Sequence, residues 1–206
     1  QVLFREGNQL IETLDVDDLL TYGKGWSYGA ELYLRKKTGK LTGWLSYTLS
    51  WTDQQFEELN FGEVFPFKYD RRHNLALAGT YQVGEHWSFS GVFVFSSGNV
   101  YTLPVGRFHA QQGGTLFEGN YFVYESRNNA RLGPYHRLDL SATYRKESHL
   151  FKKAYQSEWV FGVYNLYSRR NPYFVYFQVD PLTDQPKATQ VSLLPIIPTI
   201  SYNFKF

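Results

Sequence analysis

The sequence predicts an all-β chain, an antiparallel β-barrel wall that crosses a membrane on strands, and three observations predict it. First, apolar residues alternate with small or polar ones at a period of two along most of the chain after Trp26, the signature of strands with one greasy and one wet face. Second, aromatic residues make up 19% of the 206 residues, with 17 Tyr, 17 Phe and 5 Trp. Tyr and Trp join an apolar body to a polar tip and suit a boundary between hydrocarbon and water. Third, tight turns and long links follow one another along the chain, which a transmembrane barrel shows and a soluble meander has no reason to show.

Taken in order, residues 1–23 are mixed and polar, with acids at Asp15, Asp17 and Asp18, and read as a loop with room for a short strand. The first clear strand sets Trp26, Tyr28, Ala30, Leu32 and Leu34 against Ser27, Gly29, Glu31 and Arg35. Thr38-Gly39-Lys40 is a tight turn. The second strand places Leu41, Gly43, Leu45, Tyr47, Leu49 and Trp51 on one face. A loop from Asp53 to Tyr69 follows. The third strand carries Leu75, Leu77, Gly79 and Tyr81, and after Gly84-Glu85 the fourth carries Trp87, Phe89, Gly91, Phe93 and Phe95. Gly98 to Gly133 is a long Gly- and Asn-rich loop, of a length that is usually functional. The fifth strand sets Leu138, Leu140, Ala142 and Tyr144 against Arg137, Asp139 and Arg145. A connector of intermediate length, 146–157, departs from the alternation and leads to a sixth strand near Glu158 to Tyr167. Tyr173 to Val179 is extended, Pro181 to Pro186 is a turn, and a seventh strand is expected from about Ala188 to Phe206.

Seven strands leave two edges, and edges cannot face lipid. Either residues 1–14 close a small eight-stranded barrel by pairing with the C-terminal strand, or the seven belong to a larger barrel, which is the favoured reading because Val2 to Leu14 alternates poorly.

Composition excludes several classes. The mean hydropathy of −0.41 suits a barrel, in which only every second residue need be apolar. No run approaches the roughly 20 apolar residues of a spanning helix. A net charge of +2 gives no field to attract nucleic acid, and with no cysteine there are no disulfides, thiolate metal sites or cysteine nucleophiles. Gln1 opens a polar segment with no signal-peptide core, so the chain is expected to be a mature form or the C-terminal portion of a longer one.

His73, His86, His109, His136 and His149 lack metal-ligand spacing, the Asp15 cluster lacks the Gly and Glu of a calcium loop, and Gly23, Gly25 and Gly29 miss the dinucleotide spacing. Neither a cofactor nor a catalytic constellation is expected. Asp70, Arg71 and Arg72 form a charged junction that reads first as rim pairing and second as a ligand or lipopolysaccharide contact. Arg137, Asp139 and Arg145 are expected to face the lumen. Phe108, Phe117, Tyr121, Phe122 and Tyr124 in the long loop could equally stack on a ligand at the pore mouth or pack the loop on itself or on a partner lipoprotein. Trp26, Trp51, Trp87 and Trp159 fall near strand ends, as in an interfacial girdle.

Several segments carry a family resemblance: Gly25-Trp26-Ser27-Tyr28-Gly29-Ala30-Glu31, Phe65-Pro66-Phe67-Lys68-Tyr69-Asp70-Arg71-Arg72-His73-Asn74, Gly98-Asn99-Val100-Tyr101-Thr102-Leu103-Pro104, Pro134-Tyr135-His136-Arg137-Leu138-Asp139-Leu140, Asn171-Pro172-Tyr173-Phe174 and Ile196 to Phe206. In this order and spacing the chain resembles the C-terminal part of a TonB-dependent outer-membrane receptor of the Bacteroidota type. The closing row Ile200, Tyr202, Phe204 and Phe206 resembles the C-terminal signal that the barrel assembly machinery reads.

The resemblance implies a barrel of about 22 strands, of which this chain supplies the last seven, with residues 1–23 as an extracellular loop region and 24–206 as the barrel segment. It implies residence in the outer membrane of a Gram-negative cell among lipid and lipopolysaccharide. It also implies uptake of a nutrient, energised by TonB through an N-terminal plug domain, with a surface lipoprotein as a further partner. The alternatives are a small eight-stranded barrel with a structural, assembly or adhesion role, an outer-membrane enzyme, and a soluble sandwich. The sandwich would pack the Leu41, Leu45 and Leu49 face on Phe89 and Phe93.

Overall fold

Alternation at a period of two becomes strand after strand in a computed structural model that describes residues 2–4, 20–110, 119–150, 153–180, 182, 183 and 185–205. Among these residues the strands are β1 (Val2–Phe4), β2 (Leu20–Lys36), β3 (Leu41–Phe56), β4 (Phe65–Pro66), β5 (His73–Val83), β6 (Trp87–Ser96), β7 (Val100–Tyr101), β8 (Gly106–Ala110), β9 (Gly119–Val123), β10 (Ala130–Arg131), β11 (Tyr135–Leu150), β12 (Lys153–Tyr164), β13 (Pro172–Val179), β14 (Pro186–Ser192) and β15 (Ile197–Lys205). The main sheet is antiparallel throughout, in the order β1-β2-β3-β5-β6-β11-β12-β15, with β4 paired on β3. It is open: β1 pairs with β2, not with β15. The closure that a small eight-stranded barrel needs is therefore not made among the described residues.

The register carries the chemistry. One cross-strand row reads Leu41, Tyr81, Phe89, Ala142, Phe161 and Ile200. The adjacent row, one residue on, reads Thr42, Thr80, Ser90, Ser141, Gly162 and Thr199. A shift of one residue thus exchanges a greasy surface for a hydroxyl-rich one. The greasy face is uncovered: Leu140 and Phe161 are each 43% exposed and Ile200 is 64% exposed. Among the described residues the buried apolar side chains are Phe56, Leu59, Phe65 and Val100, and none of these lies in the middle of a main-sheet strand. An exposed apolar face of this extent marks a surface made for a non-aqueous neighbour. A sandwich is excluded by topology, because Leu41 and Phe89 stand on the same face of one sheet.

Aromatic residues bound this face at both ends. At the tight-turn end, Trp87 lies 4.9 Å from Tyr144 and Trp159 lies 4.6 Å from Tyr202, ring centre to ring centre. At the other end, His136 contacts Phe95 at 6.5 Å and Tyr167 at 5.5 Å, and Tyr28 stacks on Trp51 at 5.4 Å. From His136 to Tyr144 the strand rises about 27 Å, or about 21 Å along the membrane normal at a tilt of about 40°. Trp159→Ala is expected to cost about 1–3 kcal/mol in urea-induced unfolding of the protein in lipid vesicles. Trp44→Ala, on the hydroxyl-bearing face, is expected to cost less.

The connectors segregate more cleanly than the sequence suggests. Gly39 (φ +92°) and Gly84 (φ +62°) occupy left-handed positions in two tight turns. The third link, expected to be of intermediate length, is also tight: β11 and β12 run on until Leu150 pairs with Lys153, leaving only residues 151 and 152 between them. The links 57–72, 97–134 and 165–196 lie at the opposite end.

Three expectations need correction. The seventh strand does not start at Ala188, because β14 folds back on β13 as a separate hairpin and only β15 joins β12. Pro195 lies in the break between them and has no N–H to continue a ladder. The segment 98–133, read as one long loop, contains the β7–β10 and β8–β9 pairs. And β2 begins at Leu20, within the segment read as loop, with β1 beside it.

Candidate functional site

The three long links fold onto one another above the sheet, and ordinary local rules build the first tie. After β3 the chain turns so that Phe56, Leu59 and Phe65 form a small buried cluster, with Phe56 and Phe65 rings 6.2 Å apart. This places Asp70 at the base of β5 with its carboxylate fully buried. Thr52 N–H donates to Asp70 Oδ1 at 2.9 Å, and Arg131 Nη2 donates to Oδ2 at 2.5 Å. Arg131 Nη1 donates to the Asp70 and Gly98 carbonyls at 2.7 and 2.8 Å. Arg72 lies 3.7 Å from the same carboxylate, with its guanidinium 4.9 Å from the Trp51 ring centre. Asp70 is thus the buried anion that draws Arg131 across from the second link. Gly98 passes so close that a Cβ would sit 2.0 Å from the Leu132 carbonyl oxygen, which leaves room for glycine alone.

Asparagines complete this tie. Arg127 N–H donates to Asn60 Oδ1 at 2.7 Å, Asn60 Nδ2 donates to Arg127 O at 3.1 Å, and Asn128 Nδ2 donates to Pro66 O at 2.9 Å. Asn60 and Asn128 both have positive φ, a region asparagine tolerates better than most residues.

The second tie is aromatic. Phe177 of β13 lies 6.2 Å from Tyr101 and 6.3 Å from Phe122. The Phe177 and Phe122 rings border an apolar cleft of about 250 Å³ that includes Leu103, Pro104 and Pro186. Phe177→Ala is expected to part the two hairpins and to speed tryptic cleavage of the folded protein at Arg107 and Lys187 severalfold. Unchanged cleavage would show that the hairpins are held by other contacts.

The third tie descends into the wet face. Arg137 donates to Asp139 Oδ2 at 2.9 Å, to Tyr135 OH at 3.0 Å and to Tyr164 OH, and its guanidinium lies 4.0 Å over the Tyr164 ring. Asp139 also accepts from Asn165 N–H at 2.8 Å. Asn165 is 1% exposed and donates to the Arg169 and Leu194 carbonyls, both at 3.0 Å. Asn171 exchanges two hydrogen bonds with the His136 backbone, at 3.0 and 2.9 Å, as a further strand would. Burial pushes the Tyr167 phenol up, and the Leu182 and Thr183 amides hold the Asp180 carboxyl below its usual range.

Beside these ties lies a second cleft, of about 310 Å³, lined by Arg71, Ser96, Asn99, Tyr135, Tyr164 and Tyr173 among others. Arg71 Nε donates to Asn99 Oδ1 at 2.7 Å, and Arg71 Nη1 approaches Ser96 Oγ at 3.4 Å.

Asp70 and Arg72 lie within 4 Å of each other as expected, while Arg71 points into the cleft. Arg137 and Asp139 pair on the wet face, and Arg145 pairs there with Glu158 at the opposite end. Of the loop aromatics, Phe122 packs on Phe177 while Tyr121 and Tyr124 are exposed. Phe117 and the side chain of Phe108 lie outside the described residues. Ile200, Tyr202 and Phe204 stand on the exposed apolar face, and Phe206 lies outside the described residues. Sequence reasoning missed Arg131, Asn165 and Phe177. The first two follow Asn-rich or apolar stretches with no motif, and only the fold reveals what they bind.

A family model described as "TonB dependent receptor-like, beta-barrel" matches residues 7–166. No curated protein and no solved structure matches the chain.

Proposed function

Since the chain belongs to the TonB-dependent receptor-like β-barrel family, whose barrels serve transport in the outer membrane, we propose that it forms the last strands of a receptor that takes up a nutrient and is energised through TonB. The observation that carries this reading is the pairing of a bare apolar face with three mutually tied links at one end of the sheet. The apolar face fits lipid, and the polar face of small hydroxyl residues fits a wet lumen. On this reading the long links stand outside the cell and the tight turns in the periplasm. Residues 24–206 are then barrel segment, with β2 reaching back to Leu20 at the outer end. A plug contributed by the N-terminal part of the receptor would contact TonB and meet the wet face. Ile200, Tyr202, Phe204 and Phe206 would serve the assembly machinery. Lipopolysaccharide would surround the outer rim, and exposed Tyr121 and Tyr124 offer contacts to a surface lipoprotein. The chemistry is binding and gated passage, with no bond broken.

The test combines location with energy coupling. Cells that produce the receptor should show a heat-modifiable band confined to the outer-membrane fraction. Deleting the gene should leave some medium component unconsumed, and loss of TonB or addition of a protonophore should leave the same component behind. A band in the soluble fraction, or consumption that persists without TonB, would refute the reading.

A further inference from the structure

The geometry points to a binding site for a carboxylate-bearing small ligand in the 310 Å³ rim cleft, with Arg71 as its anion contact. The inference rests on the transport reading and names the chemistry of what is bound. The cleft volume falls at the lower end of the roughly 300–1,000 Å³ of small-molecule sites. Its floor is made of Ser96, Tyr135 and Tyr164, the outermost wet-face residues of β6, β11 and β12, so it opens on the polar face at the end where the long links meet.

The donors converge and are held in advance. Asn99 accepts from Arg71 Nε through its side-chain oxygen, and Ser96 Oγ lies near Nη1. These contacts fix the plane of the guanidinium and leave its Nη2 edge without a hydrogen-bond partner among the described residues. They also leave the Asn99 Nδ2 donors without a hydrogen-bond partner among the described residues. A guanidinium edge beside an amide is a donor pair that matches the two oxygens of a carboxylate, and holding it rigid reduces the entropy lost on binding.

The charge has one sign. The cleft lining includes Arg71 and no Asp or Glu. The buried carboxylate next to Arg71 in the chain, Asp70, is already shared by Arg131 and Arg72. Asp139 is taken by Arg137 and by Asn165 N–H. Among the described residues, an anion entering the cleft would therefore meet an uncompensated cation.

A strained residue supports the same place. Leu194 lines the cleft with φ +55°, in the left-handed region that a leucine rarely adopts. Asn165 Nδ2 holds its carbonyl at 3.0 Å. Backbone strain kept in this way collects at ligand clamps. Together with Leu193 and the exposed Tyr173 ring, Leu194 gives the ligand an apolar neighbour beside the anion contact.

The test uses the intact receptor purified in detergent and four probes: digalacturonate, its dimethyl ester, alanyl-alanine and alanyl-alaninamide. At least one acid should bind about tenfold or more tightly than its neutral counterpart in calorimetry, and which acid does so tells a sugar carboxylate from a peptide one. Arg71→Gln should abolish the preference. Asn99→Asp should abolish it too, because it keeps the acceptor for Arg71 Nε but cancels the charge. Arg72→Gln removes an equal charge at the rim but outside the cleft, and should keep the preference. The site is overturned if acids and neutral probes bind alike, if none of the four binds, if the preference survives Arg71→Gln and Asn99→Asp, or if Arg72→Gln erases it equally. A receptor that transports but shows no acid preference would sink the site alone. One that keeps the preference but fails the uptake test would sink the transport reading alone.

Discussion

Leu140→Arg is expected to cost about 2–4 kcal/mol and to remove most of the heat-modifiable receptor from the outer membrane, while Ser141→Arg is tolerated. The two residues are neighbours in β11 but belong to opposite rows. Leu140 stands four residues from each of the aromatic positions His136 and Tyr144, midway across the apolar face, with Gly91 and Val163 as its cross-strand neighbours. A guanidinium there has no polar partner within the band and must either distort the bilayer or stay outside it. Ser141 lies in the hydroxyl row, where an added guanidinium faces water and small polar groups. The measurement is the folded fraction in outer-membrane preparations, read from gel mobility before and after heating. Equal loss from both substitutions, or from neither, would show that the two faces do not see different solvents.

Asp70→Ala is expected to free the first two links from each other at a cost of about 3 kcal/mol. The carboxylate is fully buried, whereas the Arg131 and Arg72 side chains are 32% and 35% exposed, which places the cost at the lower end for a broken buried pair. The substitution also orphans the Thr52 amide. Asp70→Asn keeps an acceptor for that amide and loses only the charge, so its effect should be intermediate. Because the damage is limited to the links and the end of β3, the strand wall should still assemble. Limited proteolysis of the membrane-inserted protein should then show faster cleavage between residues 57 and 134, with the inserted amount unchanged. Loss of insertion would instead make Asp70 a determinant of the barrel itself.

The strands of the main sheet were legible because each repeats one simple constraint. Leu41 to Trp51 alternates apart from Trp44, and Trp87 to Phe95 apart from Val92 and Val94, and their partners in β5 and β11 alternate in phase. The links were not legible, for a different reason in each case. Phe177 sits in an extended run whose alternation does not reveal whether it faces lipid, water or another hairpin. The value of Asp70 depends on Arg131, which lies 61 residues away in the chain. Asn165 gives no signal because its work is done on backbone carbonyls. The break between β14 and β15 could have been inferred from Pro195, but the extended character on both sides of it concealed the change of partner. Arg71 shares its motif with two other charged residues, and only the fold separates it from them.

The height of the apolar face has a consequence for where this protein can reside. About 21 Å between the aromatic rows is less than the ~30 Å of an average hydrocarbon core. Neighbouring acyl chains must therefore compress against the protein, at an elastic cost of a fraction of a kcal/mol for each ångström of mismatch. That penalty is smaller in a thin bilayer than in a thick one, and the bacterial outer membrane is thinner than average. The spacing between His136 and Tyr144 thus acts as a thickness gauge that disfavours stray insertion into the wrong membrane.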